Sequence, residues 1–363
     1  MKRFRSSLFL AICTILLAHG SGIAGEQRER PTFSDWSVDC LNTGLCLGST
    51  YVREQAAWLD LRLVRDWPAQ AEPMIRLTTN LVLKPDGNIR LSVDGTLIEE
   101  LPVEQLREVQ SSITTPDGFV PIGGEGFWYP TRPATRTLIN AMKKGSTLSV
   151  HLPGDPDAFE VKVSLIGLTS SLIWLDEQQD RSTSQSALAL TGDDHAKDAP
   201  NAISVSSPSQ LPPTVVESWN NGRFCSDIDP ALFAGLGAVA ASLDGKSTLY
   251  LLPCGAPTAY NAAYIALLAN SDGKVRQLGF ARMSDVGPVA IDLVYNARWS
   301  PKTMQLESFF KASGLGECGL WNRWQWTGTA FALVAEATRS TCNGEPAPLA
   351  TWDATWPPLQ HSE

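Results

Sequence analysis

Histidine is scarce in this sequence: 363 residues contain only four, His19, His151, His195 and His361. Nucleophilic catalysis of the Ser-His-Asp or Cys-His kind needs a positioned base. Three of the four lie in an N-terminal leader, in a polar stretch, or near the end of the chain, so only His151, on a predicted strand, could serve. The plainer reading of His151 is a partly exposed strand histidine. Metal-binding patterns are missing as well. No cysteine pair has the two-residue spacing of a zinc knuckle. Asp227-Ile228-Asp229 lacks the twelve-residue calcium loop with its glycine and terminal glutamate. Gly314-Leu315-Gly316-Glu317-Cys318-Gly319 lacks the lysine of a phosphate loop. No metal and no cofactor is expected. Cations are the minority charge, 29 against 38 anions, which argues against nucleic acid or an anionic membrane surface as partner.

Long apolar runs are also absent. A spanning helix needs roughly 20 apolar residues, and none is present, so no transmembrane anchor is expected. The longest candidate, Leu8–Ala18, follows Lys2, Arg3 and Arg5 and precedes the small residues Gly22-Ile23-Ala24. That order reads as a secretory signal peptide over residues 1–24. No cysteine stands at a lipidation position. Cleavage after Ala24 removes three positive charges and takes the net charge from −9 to −12.

What remains suits an oxidising compartment. Loss of Cys13 with the leader leaves six cysteines, Cys40, Cys46, Cys225, Cys254, Cys318 and Cys342. An even number in an exported chain reads as disulfides. Fifteen connectivities are open, of which pairing between chain neighbours is the simplest. The expected location is the periplasm.

The pattern of elements is mainly β, a β-rich α+β chain of two domains of antiparallel strands. Residues 25–192 form the first, residues 214–363 the second, and 193–213, poor in large apolar residues, read as a linker. In the first domain Asp86-Gly87 and Asp94-Gly95 punctuate β-prone runs and predict a hairpin meander. A later strand pair is expected around Pro153-Gly154-Asp155. Helices are expected over Ala134–Lys144, with Leu138, Ile139 and Met142 on one face, and over Leu168–Gln179. Together these make a sandwich-like domain with one or two helices. In the second domain, turns at Asp244-Gly245, Asp272-Gly273 and Gly328 predict hairpins. Ala290–Ala297 is expected to pair with Gln305–Lys311. Spacing does not separate a sandwich, a barrel and part of a propeller.

Two constellations could carry chemistry. Asp176 and Glu177 could do acid-base work on a glycoside; the plainer reading is a solvated helix end paired with Arg181. The glycine-rich Gly314–Gly319 loop, pinned by Cys318, could hold a ligand against its backbone or be a turn. Five of the 12 tryptophans fall in the last 43 residues, among them Trp321, Trp324 and Trp326. Trp324 and Trp326 share a strand face. Tryptophans fill small β cores by default, and binding is the sharper alternative.

Phe33-Ser34-Asp35-Trp36-Ser37-Val38-Asp39-Cys40 with Cys46 resembles the opening of invasion-associated locus B proteins, and Ser164-Leu165-Ile166-Gly167-Leu168 a later segment of that family. Over its mature length the chain resembles the bacterial family named domain of unknown function 1176. The matching pieces are Trp174–Gln179, Ala259-Tyr260-Asn261, Gly314–Gly319 and Trp324-Gln325-Trp326. Departures stand at Asp180, where the family tends to have Gly, and at Ser313 and Glu317, where it tends to have Arg and Asp. The resemblance implies an exported protein of Gram-negative bacteria and assigns no catalytic residue. It adds Tyr260 and Asn261 to Gly314, Gly316, Glu317, Gly319 and the three tryptophans as binding candidates. The expected function is a non-catalytic envelope protein that binds another protein or a cell-wall glycan. The alternative is an envelope glycan or peptide hydrolase working through Asp176 and Glu177.

Overall fold

The computed structural model describes residues 31–54, 57–105, 125–128, 132–154, 157–197, 201–221, 225, 227–345 and 347–357. The expected signal peptide lies outside the described residues. The fold is mainly β, with antiparallel sheets and few helices.

The N-terminal half contains β1 (Thr32–Phe33), β2 (Trp36–Cys40), β3 (Cys46–Glu54), β4 (Ala57–Arg65), β5 (Met74–Thr79), β6 (Asn88–Val93), β7 (Thr96–Pro102), β8 (Glu125–Trp128), α1 (Arg132–Lys144), β9 (Thr147–Leu152), β10 (Phe159–Ser164) and α2 (Leu168–Gln178). One sheet has the order β1-β2-β3-β4-β5-β8 and a second β10-β9-β6-β7. Both sheets, α1 and α2 feed one apolar core, to which α1 contributes Leu138, Ile139 and Met142. Alternation in β3 and β4 drives this: every second residue from Cys46 to Thr50 and from Ala57 to Leu63 is buried.

The expected meander is only half present. Asp94 and Gly95 both take positive φ, 47° and 82°, and close the β6–β7 hairpin as a primed turn does. Asp86-Gly87 does not close a hairpin. There the chain leaves the first sheet and enters the second, because β5 pairs with β4 and β8 while β6 pairs with β7 and β9.

The C-terminal half contains β11 (Ala202–Ser204), α3 (Pro213–Asn220), α4 (Pro230–Gly235), β12 (Val239–Ser242), β13 (Ser247–Pro253), β14 (Ala263–Asn270), β15 (Val275–Gln277), β16 (Phe280–Ser284), β17 (Gly287–Ile291), β18 (Val294–Tyr295), β19 (Arg298–Ser300), β20 (Gln305–Lys311), β21 (Gly319–Trp326), β22 (Phe331–Arg339) and β23 (Asp353–Trp356). Strands β11-β12-β13-β14-β15 form one sheet, with β18 also on β14; β19-β20-β21-β22-β23 form another; β16 and β17 make a separate hairpin.

Two expectations are corrected here. The stretch read as a linker folds in its second part: β11 pairs with β12, and Val205 and Leu211 are buried in the core under α3. Two well-spaced apolar residues are enough to anchor a short polar segment. Ala290–Ala297 is not one strand against Gln305–Lys311. It divides between β17, which pairs with β16, and β18, which pairs with β14, while β19 takes the place beside β20.

All three neighbour disulfides are present: Cys40–Cys46, Cys225–Cys254 and Cys318–Cys342. Among the described residues no helix is long and apolar enough to cross a membrane.

Candidate functional site

A groove of about 790 Å³ lies over the outward face of the first sheet. The burial alternation that buries Gly48 and Thr50 turns Ser49, Tyr51 and Arg53 outward. Register then sets Ser37 and Arg62 beside Ser49, Asp60 beside Tyr51, and Trp58 beside Arg53. Ser34 and Asp35 border the groove from the β1–β2 turn, Lys162 and Ser164 from β10. Tyr51 is 58% exposed, and its ring lies 6.0 Å from that of Trp58. Arg62 and Asp60 form a two-pronged ion pair at 2.9–3.1 Å and neutralise each other. The charged ends of Arg53 and Lys162 take no partner among the described residues. The groove therefore offers hydroxyls, an aromatic wall and surplus positive charge.

No sequence motif marks these residues. Their signal was present in the period-two alternation of Cys46–Glu54 and Ala57–Arg65, but alternation alone does not say that the polar face stays open.

Asp176 and Glu177 do not form a catalytic pair. Asp176 is 1% exposed. Its carboxylate pairs with Arg65 at 2.8 Å and accepts from the backbone N–H of Leu188 and Ala189. Gln179, also buried, accepts from Arg65 Nε at 2.7 Å and donates to the carbonyls of Gly44 and Arg65. Arg181 does not pair with Asp176; it donates to the Trp67 and Pro68 carbonyls and to Ser186 Oγ. Burial lowers the Arg181 guanidinium to a pKa of about 10, with neighbouring Arg65 adding to the effect. Glu177 is exposed, and its carbonyl accepts from Lys302 Nζ. The Trp174–Gln179 segment thus ties α2 to the disulfide loop after β2, a structural network.

The tryptophans are inside. Trp324 and Trp326 do share one face, and that face packs on Phe280, Trp299 and Phe331. Trp321 packs on the other side of the sheet against Trp352 and Leu349. None of the three rings is free to stack on an external ligand.

The other C-terminal candidates are brought together. The Asn261 side chain bonds both Lys311 backbone groups, donating to its carbonyl at 2.8 Å and accepting from its N–H at 3.0 Å. Asn296 Nδ2 donates to Asn261 Oδ1 and to the carbonyls of Tyr260 and Phe309. This clasp sets Tyr260 against Gly314. Glu317 accepts from Ser313 Oγ and from Gly344 N–H, and those hydrogen bonds, led by Ser313, hold its carboxyl below the ordinary range. Gly316, with φ 74°, closes the turn by donating to the Ser313 carbonyl. Gly319 has φ 143°, and a Cβ there would run into the Phe310 carbonyl, so only glycine fits. The loop's polar groups serve the loop itself, while Leu315 at its tip is 76% exposed.

His151 lies on β9, half-buried, in register with Arg90 and Glu160. Burial first, and Arg90 second, lower its pKa. Among the described residues no group of three or more His, Cys, Asp or Glu could hold a metal.

The two halves meet at the β2 disulfide loop. Arg298 forms a two-pronged pair with Asp39 at 2.8 Å. Asn42 donates to the Gly237 carbonyl and accepts from Trp299 N–H. Lys302 reaches Asp180 at 2.9 Å.

The family described as "Protein of unknown function (DUF1176)" matches residues 30–358. The chain belongs to that family. The "Uncharacterized protein YpfG" of Escherichia coli (strain K12) is 26% identical over 376 residues, which is 97% of this chain and 99% of that protein. The crystal structure of invasion associated protein b from Bartonella henselae aligns over 41% of this chain and 97% of its own, at 17% identity and a TM-score of 0.31, too low to support an argument about fold or role. Ser313 and Glu317 bond each other. Asp180 holds a left-handed φ of 52°, the conformation that favours glycine, and its carboxylate is the one that receives Lys302.

Proposed function

We propose that this protein is exported to the periplasm and binds a cell-wall glycan in the groove between Tyr51 and Lys162. Export is supported by the leader-like residues 1–24 and by three disulfides, which persist in oxidising compartments. The observation that carries the glycan reading is the groove itself. A sugar presents C–H faces and hydroxyls together, and the groove sets an exposed tyrosine beside a ladder of serines. The unpaired Arg53 and Lys162 favour glycans that carry carboxylates, since a cation without an internal partner gains most from an anion. An envelope protein partner is the competing outcome.

No observation favours a hydrolase acting through Asp176 and Glu177, because Asp176 already spends its carboxylate on Arg65 and two backbone N–H groups. The test is co-sedimentation of the mature protein with purified peptidoglycan sacculi, beside crosslinking in living cells. Retention on sacculi should fall at least fivefold in the double variant Tyr51→Ala, Arg53→Gln. Undiminished retention of that variant would falsify the groove as the glycan site. A crosslinked protein partner with no sacculus binding would replace the glycan by a protein.

A further inference from the structure

A second cavity, of about 360 Å³, lies in the C-terminal half, where β17 and β18 pass beside β20 and β21. It has the make-up of a small-molecule pocket, apolar walls with a few polar groups. Phe310 forms one wall, 41% exposed, braced edge-on by Tyr295 at 5.1 Å between ring centroids. Ile291 and Leu320 add aliphatic surface. The floor is rigid. Asn322 is buried and donates to Glu336, whose carboxylate also receives Met283 N–H and Thr355 Oγ1.

Two opposite charges border this cavity, Arg282 and Asp292, and they form no salt bridge with each other. Arg282 uses only its Nε, toward the Met283 carbonyl at 3.3 Å. Its terminal nitrogens and the Asp292 carboxylate take no partner among the described residues. A cation and an anion beside one apolar pocket, each unspent, match a ligand carrying both charges on a short backbone and one bulky apolar group.

We infer that this pocket binds a free α-amino acid, or the zwitterionic equivalent in a very short peptide, with an aromatic or large aliphatic side chain. The ligand carboxylate lies on Arg282, its ammonium on Asp292, and its side chain against Phe310 and Ile291. The volume suits one such residue. This site is separate from the glycan groove and stands or falls without it.

The experiment is isothermal titration calorimetry on the mature protein with phenylalanine and leucine, and with two blocked probes, N-acetylphenylalanine and phenylalanine amide. Phenylalanine should bind. Each blocked probe should bind at least tenfold more weakly, since each lacks one charge. Arg282→Gln should erase the penalty for the amide, and Asp292→Asn the penalty for the N-acetyl form, because the lost charge no longer has a partner. All three groups are at the surface or half-buried, so thermal melting of the variants should match the parent and confirm folding. Phe310→Ala should weaken phenylalanine at least tenfold. No binding of either amino acid up to 10 mM, on the order of a weak-ligand ceiling, overturns the inference. So does equal binding of the free and blocked probes.

Discussion

Asp176 and Arg65 face each other at 2.8 Å with almost no exposure of either side chain. Two charges so deeply buried are tolerable only because they pair with each other and because hydrogen bonds from backbone and side chain reach both. Removing one partner leaves the other charged and unpaired. Asp176→Ala is expected to lose about 3–5 kcal/mol of stability, read from the urea midpoint of unfolding; a change under about 1 kcal/mol would mean the network is dispensable. Glu317 shows a pH effect of definite sign. Hydrogen bonds from Ser313 and Gly344 hold its carboxyl below the ordinary range in the folded state. Its contribution is therefore complete above the unfolded pKa and is lost as pH falls through the lower folded value. Glu317→Gln should lower the melting temperature at pH 7, and the gap from the parent should narrow as pH falls below the ordinary carboxylate range. The identity of two of these groups was legible in the chain, since Asp176 and Gln179 both stand in a segment that resembles the family. Their environment was not: a helix end rich in polar residues reads as solvated until the Arg65 strand is seen to pass beneath it.

At the scale of single elements, alternation and turn chemistry were reliable wherever both partners of a hairpin were adjacent in the chain. The β6–β7 turn at Asp94-Gly95 and the β21–β22 turn near Gly328 are examples. Reading failed where a strand's partner was distant. Nothing local in Ala290–Ala297 says that its first residues join β16 and its later ones β14. Disulfides act at this scale too. Cys225–Cys254 and Cys318–Cys342 close loops with sequence separations of 29 and 24, and bridges of this kind are worth about 2–4 kcal/mol each. Reduction should lower the melting temperature, with Cys225→Ser and Cys318→Ser accounting for most of the loss and Cys40→Ser, which opens a loop of separation 6, for less. Equal melting with and without reductant would remove the stabilising role of all three. Asn261 splints two loops through Lys311, so Asn261→Ala should raise protease cleavage near Gly314–Gly319 without unfolding the strands beside it.

For the whole molecule the decisive contacts are few. Arg298 with Asp39, Asn42 with Gly237 and Trp299, and Lys302 with Asp180 join the halves around the Cys40–Cys46 loop. Burial disfavours the Arg298 charge, but hydrogen bonding and attraction from Asp39 outweigh that and raise its pKa. Arg298→Ala should cost about 1.5–3 kcal/mol, the range for hydrogen bonds to a charged group. A denaturation curve that stays single and unshifted would show that the halves do not depend on this clasp.

Composition and local pattern by themselves determined the β-rich class and the helix over Ala134–Lys144, and they made cysteine pairing between chain neighbours the simplest of fifteen connectivities, which the structure then decided. Each of these depends on residues close together in the chain, where geometry is set by period, turn type and short loop closure. Tertiary structure alone decided which polar groups are spent and which are open. Asp176 and the three tryptophans are enclosed by strands far away in sequence, while Tyr51, Arg53 and Lys162 are left facing water. Long-range packing makes that choice, because the cost of burying a charge or the gain of burying a ring depends on what arrives from the other side.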